Sequence, residues 1–257
     1  MRKILLAAML LSSFAQAHTV YLTIDLKHKT PVFFDQNALI APSKTKGGTT
    51  FHVYHAALED QGKVYSLEEY GKWNVSKKAT ALVIRLTNGK NTHEVKLPAH
   101  VSAGLLQTFI DSQTKVACGT DFECGCFVHS AHGFAANVLV EKKESGEFEL
   151  DTPHEYWTVG PYSAQNLIPG DVIRLFEQKT PDVQEQHFAL HLAPNMYISK
   201  FGGGAIYATD LVALKQVYRF HHIETWKPID VASCKKKVLG VACVVTVCAL
   251  AWFFSSM

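Results

Sequence analysis

Residues 121–129 read Asp121-Phe122-Glu123-Cys124-Gly125-Cys126-Phe127-Val128-His129. A helix that starts near Cys124 places Phe127, Val128 and Ala131 at i+3, i+4 and i+7, which makes one buried stripe. Cys124 then sits in the first turn, where unpaired backbone amides and the helix dipole favour thiolate over thiol. Asp121 can cap the helix, but it and Glu123 also bring negative charge that opposes ionisation. Upstream, Leu105, Leu106, Phe109 and Ile110 recur at helical spacing from Ser102 onward. Helical character therefore precedes the cysteines.

Downstream the period changes to that of strands. Pro169-Gly170-Asp171 reads as a type II turn, proline second and glycine at the position that needs positive φ, leading into Val172 to Phe176. The polar turn from Pro181 to Gln186 precedes His187-Phe188-Ala189-Leu190-His191-Leu192. Alternation puts His187, Ala189 and His191 on one face and Phe188, Leu190 and Leu192 on the other. After the turn Ala193-Pro194-Asn195, the strand from Met196 to Phe201 brings Ser199 or Lys200 back alongside His187. Ala205 to Ala208 is a further strand, and Asp210 caps a helix whose apolar face is Leu211, Leu214 and Val217. A thiolate needs a base and proton donor, and that base needs a partner to orient it. Cys124, His187 and Ser199 or Lys200 are the candidates for these roles.

Before the helices, residues 18–101 form a strand-rich portion. Thr19 to Ile24, Thr50 to Tyr54 and Leu82 to Leu86 alternate, and Asn88-Gly89-Lys90 reads as a hairpin turn. No chemical constellation falls here.

The order of motifs from Ser102 to Tyr218 resembles the NlpC-like cell-wall peptidases, a branch of the papain-like cysteine hydrolases. That family has an acidic residue, Cys, two small residues and Phe-Val at a helix start, matched by Glu123-Cys124-Gly125-Cys126-Phe127-Val128. A Pro-Gly-Asp turn follows, matched by Pro169 to Asp171, and then a strand headed by the catalytic His, matched by His187. The resemblance implies an α+β papain-like domain over residues 102–225, its Cys-bearing helix packed on an antiparallel sheet. It implies an amide hydrolase in which Cys124 attacks and His187 transfers the proton, with no cofactor and with peptide or peptidoglycan-like material as substrate. The family's third polar residue follows the His by about twelve positions and is usually His, Asn or Gln; here that position is Ser199, with Lys200 next. The family's oxyanion tyrosine has no match between Ser102 and Cys124, which leaves Gln107, Gln113 and the Cys124 amide for that role.

The ends imply export. Met1-Arg2-Lys3, an apolar run and Ala15-Gln16-Ala17 form a signal peptide over residues 1–17, so cleavage makes His18 the N-terminus. Residues 238–254 are 17 uncharged residues behind Lys235-Lys236-Lys237, at the lower limit for a membrane span. They predict a C-terminal anchor for a periplasmic or cell-surface protein, although the lysines lie on the side where positive charge is unusual. A formal net charge of +2 excludes nucleic acid as the expected partner. The soluble cysteines Cys118, Cys124 and Cys126 are odd in number, so one thiol is left over from any disulfide.

Two other classes use the same residues. Cys118, Cys124, Cys126, His129 and His132 supply ligands of the kind zinc accepts, and His18 at a new N-terminus can chelate copper with one further His. The remaining class is a non-catalytic binding or adaptor module displayed at a membrane, with the strand-rich half doing the work.

Overall fold

The structure, a computed structural model, describes residues 18–34, 48–67, 69–70, 79–111, 124–133, 141–142, 148–149, 157–180, 183–201, 205–218 and 220–229. The signal peptide, the apolar tail, Cys118, Gln113 and Asp121 lie outside these residues. In helix and strand, the side chains of residues 80, 111, 124–126, 141–142, 148–149, 177–180 and 183–186 also lie outside them.

The chain begins with a long strand, β1 (His18–Phe34), which turns back as β2 (Thr49–Asp60) and a short β3 (Lys63–Ser66). β4 (Ala79–Asn88) and β5 (Asn91–Val95) form the hairpin expected at Gly89, whose φ of 66° suits a residue without Cβ. Two helices follow, α1 (Ala99–Asp111) and α2 (Cys124–Ala131), and then a two-strand ribbon of β6 (Glu141–Lys142) and β7 (Phe148–Glu149). β8 (Trp157–Pro161), β9 (Val172–Thr180), β10 (Val183–Ala193), β11 (Met196–Lys200) and β12 (Ile206–Thr209) lead to α3 (Leu211–Tyr218) and β13 (His222–Pro228). Asp210 caps α3 by accepting from the Ala213 N–H at 2.9 Å, the role its side chain and position predict.

All strands except β6 and β7 join one mixed sheet in the order β5-β4-β1-β2-β12-β11-β10-β9-β13-β8, with β3 on β2. β1 lies antiparallel to β2 and parallel to β4. The strand-rich portion meets the later strands where Tyr54 of β2 pairs with Ala208 of β12. This corrects the expected papain-like core: among the described residues the strands that follow α2 continue the mixed sheet begun by β1, β2 and β4, so the Cys-bearing helix has no antiparallel sheet of its own. The apolar faces of β1, β2 and β4 also need cover, and the same two helices provide it. Val20, Leu22, Ile24, Leu58, Leu82 and Ile84 share one core with Val101, Leu105 and Phe109 of α1, Phe127, Val128 and Ala131 of α2, and Phe188, Leu190 and Ile198. We call this the inner face. A second core on the outer face joins Phe51, Val53, Ile173, Leu175, Ala189 and Tyr197 to Ala213, Leu214 and Val217 of α3.

Two glycines fix the inner core. Ile168 C=O accepts from Asp171 N–H at 3.0 Å, closing the turn at Pro169-Gly170, and Gly170 has φ of 101°. A Cβ on Gly104 of α1 would lie 2.7 Å from Ser130 O and also overlap Ala131 O of α2. The two helices thus meet backbone to backbone.

Candidate functional site

β10 carries the residues on which the expected chemistry depends, and its alternation divides them. His187, Ala189 and His191 point to the outer face, and Phe188, Leu190 and Leu192 to the inner. In β11, Tyr197 and Ser199 lie outward, and Met196 and Ile198 inward with Lys200.

His187 is fully enclosed on the outer side. Its Nε2 lies 2.6 Å from Ser199 Oγ, and the Ser199 hydroxyl donates to Phe188 C=O at 2.9 Å. A serine hydroxyl has one proton, so Nε2–H of His187 is the donor to Ser199. The tautomer is set by this chain of two bonds. The imidazole stacks on Tyr218 of α3 with ring centroids 3.7 Å apart and is flanked by Phe201 at 5.5 Å. Burial pushes the imidazole down to about 3, because nothing offsets the loss of hydration of the charged form.

Of the two residues expected beside His187, Ser199 is the one that hydrogen-bonds it. Lys200, the other candidate for that role, is buried on the inner face and does not share His187's side.

Cys124 opens α2, as the helical stripe predicts. That helix packs on the inner face: Phe127, Val128 and Ala131 enter the core with Phe188, and His129 sets its ring 6.5 Å from that of Phe188. The helix that begins with Cys124 and the side chain of His187 thus lie on opposite faces of the sheet. Gln107, a candidate oxyanion donor, is exposed on α1.

The histidines offered as metal ligands have other occupations. Trp157 Nε1–H donates to His129 Nε2 at 2.9 Å. His132 meets Trp157 edge-on at 4.9 Å, and burial, assisted by the neighbouring His100 and His129, lowers it to about 3. His18 directs Nε2 at the buried carboxylate of Asp60, 2.9 Å away, which also accepts from the Tyr70 hydroxyl at 3.3 Å. Among the described residues no group of three His, Cys, Asp or Glu side chains is arranged to hold a metal ion, and no helix is long and apolar enough to cross a membrane.

Sequence reasoning missed Trp157 and Tyr218, which decide what His129 and His187 can do. Both lie far from these histidines in the chain, and an aromatic in an amphipathic segment gives no sign of which imidazole it will meet.

One further surface stands out. On the outer side of β1 and β4 alternate residues stay part exposed, and Asn91 to Glu94 of β5 are exposed. There the Arg85 guanidinium lies 3.6 Å from the Tyr21 ring centroid, and its Nε–H donates to Glu94 Oε1 at 3.2 Å.

Comparison with family models, with curated proteins and with solved structures returns no match.

Proposed function

We propose that the chain is an exported, non-catalytic binding module displayed at a membrane through its C-terminal segment, taking a peptide-like ligand. One observation carries this reading: α2, which Cys124 opens, and the side chain of His187 belong to opposite faces of the sheet. His187 is occupied by Ser199 and Tyr218, so it serves the outer core. The open face around Tyr21, Arg85 and Glu94 supports the binding role, since an aromatic, a guanidinium and a carboxylate held by one another form a preordered polar surface.

A thiol hydrolase remains the second reading, favoured by the 2.6 Å contact between His187 and Ser199, an orienting bond of the kind a catalytic imidazole needs. Iodoacetamide labelling mapped by mass spectrometry separates the two. For the binding module, Cys124 labels at the same rate in the parent and in His187→Ala. For the hydrolase, His187→Ala slows it, because the imidazole that takes the thiol proton is gone. Display is tested by deleting residues from Val238 onward, which is expected to move the protein from the membrane pellet to the supernatant; continued pelleting refutes the anchor.

A further inference from the structure

β5 (Asn91–Val95) is one end of the sheet, and among the described strands its one neighbour is β4. Gly89 and Lys90 make the turn between them, so the flanking pair Asn88 and Asn91 exchanges N–H···O=C bonds. Alternation makes Leu86 with His93 and Ile84 with Val95 the next such pairs. Leu82 obeys the same parity. Where β5 has ended, Ser102 of α1 takes its place, accepting from Leu82 N–H at 3.0 Å and donating to Leu82 C=O at 2.9 Å. The residues in between on β5, Thr92 and Glu94, therefore turn their N–H and C=O groups away from β4. Asn91 to Glu94 are exposed, so this row of donors and acceptors meets solvent.

The edge is basic. Lys90 and Lys96, both exposed, bracket β5 and lie about 20 Å apart along an extended chain. Lys27 of the β1 bulge reaches the same hairpin, since a Cβ on Gly89 would lie 2.7 Å from its Nζ. The carboxylates nearby are engaged: Glu94 accepts from Arg85, and Asp25 accepts from the Lys27 N–H and contacts His28. A second copy of the chain does not suit this edge. Paired antiparallel through Thr92 and Glu94, two copies would set each Lys90 against Lys96 of the other, like charge opposite like. The far end of the sheet offers less, because β8 closes with Gly160 and Pro161 and proline has no N–H to give.

We infer that β5 receives the ligand as an added strand: an extended peptide segment, acidic at both ends, bonded through its main chain to Thr92 and Glu94 and through its carboxylates to Lys90 and Lys96. This rests on the binding-module reading and names the class of its ligand. Arg85, seated on Tyr21 and bonded to Glu94, holds β5 ready. Main-chain bonds supply affinity, and the lysines select charge.

Fluorescence anisotropy on the full mature chain in neutral detergent tests this with two labelled, end-capped peptides. Each is about seven residues long, the span from Lys90 to Lys96, with alternating threonine and valine between two glutamates in one and two lysines in the other. The parent is expected to bind the acidic probe at least about fivefold more tightly, a preference that shrinks as salt rises. Lys90→Glu and Lys96→Glu are each expected to weaken that binding about fivefold, and the same change at Lys215, exposed on α3, to leave it unchanged. Thr92→Pro removes an outward N–H and no bond to β4, and is expected to weaken binding about tenfold. Should that variant fail to fold, the lysine variants decide. Binding of the acidic probe that survives Thr92→Pro in a folded protein, or both lysine reversals, overturns the edge site and leaves a binding module that uses another surface. A parent that binds neither probe, or prefers the lysine one, also overturns the inference, while the module reading is decided separately by the Cys124 labelling.

Discussion

Replacing Gly170 by valine tests the turn that leads into β9. With φ at 101°, a side chain at this position meets backbone strain of about 1–3 kcal/mol. A Cβ built there lies 3.2 Å from Pro98 Cδ and 3.7 Å from Val101 Cγ2, and the two valine methyls extend further into that contact. Overpacking of this kind costs about 1–3 kcal/mol. Against these, losing glycine's freedom in the unfolded chain returns about 0.4–1 kcal/mol. The expected net loss is about 1–5 kcal/mol, with a fall in Tm of roughly 2–4 °C per kcal/mol for a domain of this size.

Gly62 supplies the internal control. Its φ is 76°, and nothing lies within 4 Å of a Cβ placed on it, so Gly62→Val incurs the backbone strain alone. Urea melts of the parent and both variants, with the slope held common, give each loss and their difference. The expected result is a larger loss at Gly170 by about 1–3 kcal/mol, the contribution of Pro98 and Val101. A Gly170→Val protein within about 0.5 kcal/mol of the parent refutes both the turn assignment and the contact.

Gly104→Ala is expected to destabilise by about 1–2 kcal/mol in the same melts, because its Cβ meets carbonyl oxygens of α2 and the strain exceeds the gain in helix propensity; a more stable variant refutes the close approach. Ser199→Ala leaves His187 Nε2–H and Phe188 C=O without their bonds, and an expected loss of about 1–3 kcal/mol is checked by thermal melting. His132 and His187 each fall to about 3 on burial from an ordinary value near 6.5. Their contribution to stability is present above about pH 6.5 and is lost as pH falls from there toward 3, since the unfolded chain takes up protons first. Urea melts between pH 7 and pH 5 are expected to show a loss of about 1.4 kcal/mol per pH unit for each histidine below pH 6.5; a flat profile refutes the neutral burial of both.

The elements were legible where a local pattern decides them. The alternation within β1, β4 and β10, the Gly89 hairpin, the Pro169-Gly170 turn, the start of α2 at Cys124 and the Asp210 cap all follow from periodicity or turn chemistry within a few residues, whereas β10 begins at Val183 and not, as expected, at His187, because its first residues are polar and lack the apolar alternation that marks a strand. Their assembly was not. β2 pairs with β12 through Tyr54 and Ala208, more than 150 positions apart in the chain, and no short-range signal encodes which edge accepts which strand. The twelve-residue spacing from His187 to Ser199 was readable because a hairpin is a local object: its register fixes which side chains share a face.

The same parity that made the His187–Ser199 contact readable also limits what the motif can deliver. Alternation along β10 fixes His187 opposite Phe188 whatever the rest of the fold does. It does not say which of the two faces a helix more than fifty residues upstream will cover. That choice is made by volume: the inner face offers Phe188, Leu190 and Ile198 to the apolar stripe of Phe127, Val128 and Ala131 and continues into β1 and β4, whereas the outer face is filled by the shorter core under α3. A motif order can thus be met in full, a cysteine opening a helix and a histidine beside its serine on a strand, while that helix and that imidazole belong to opposite faces of one sheet.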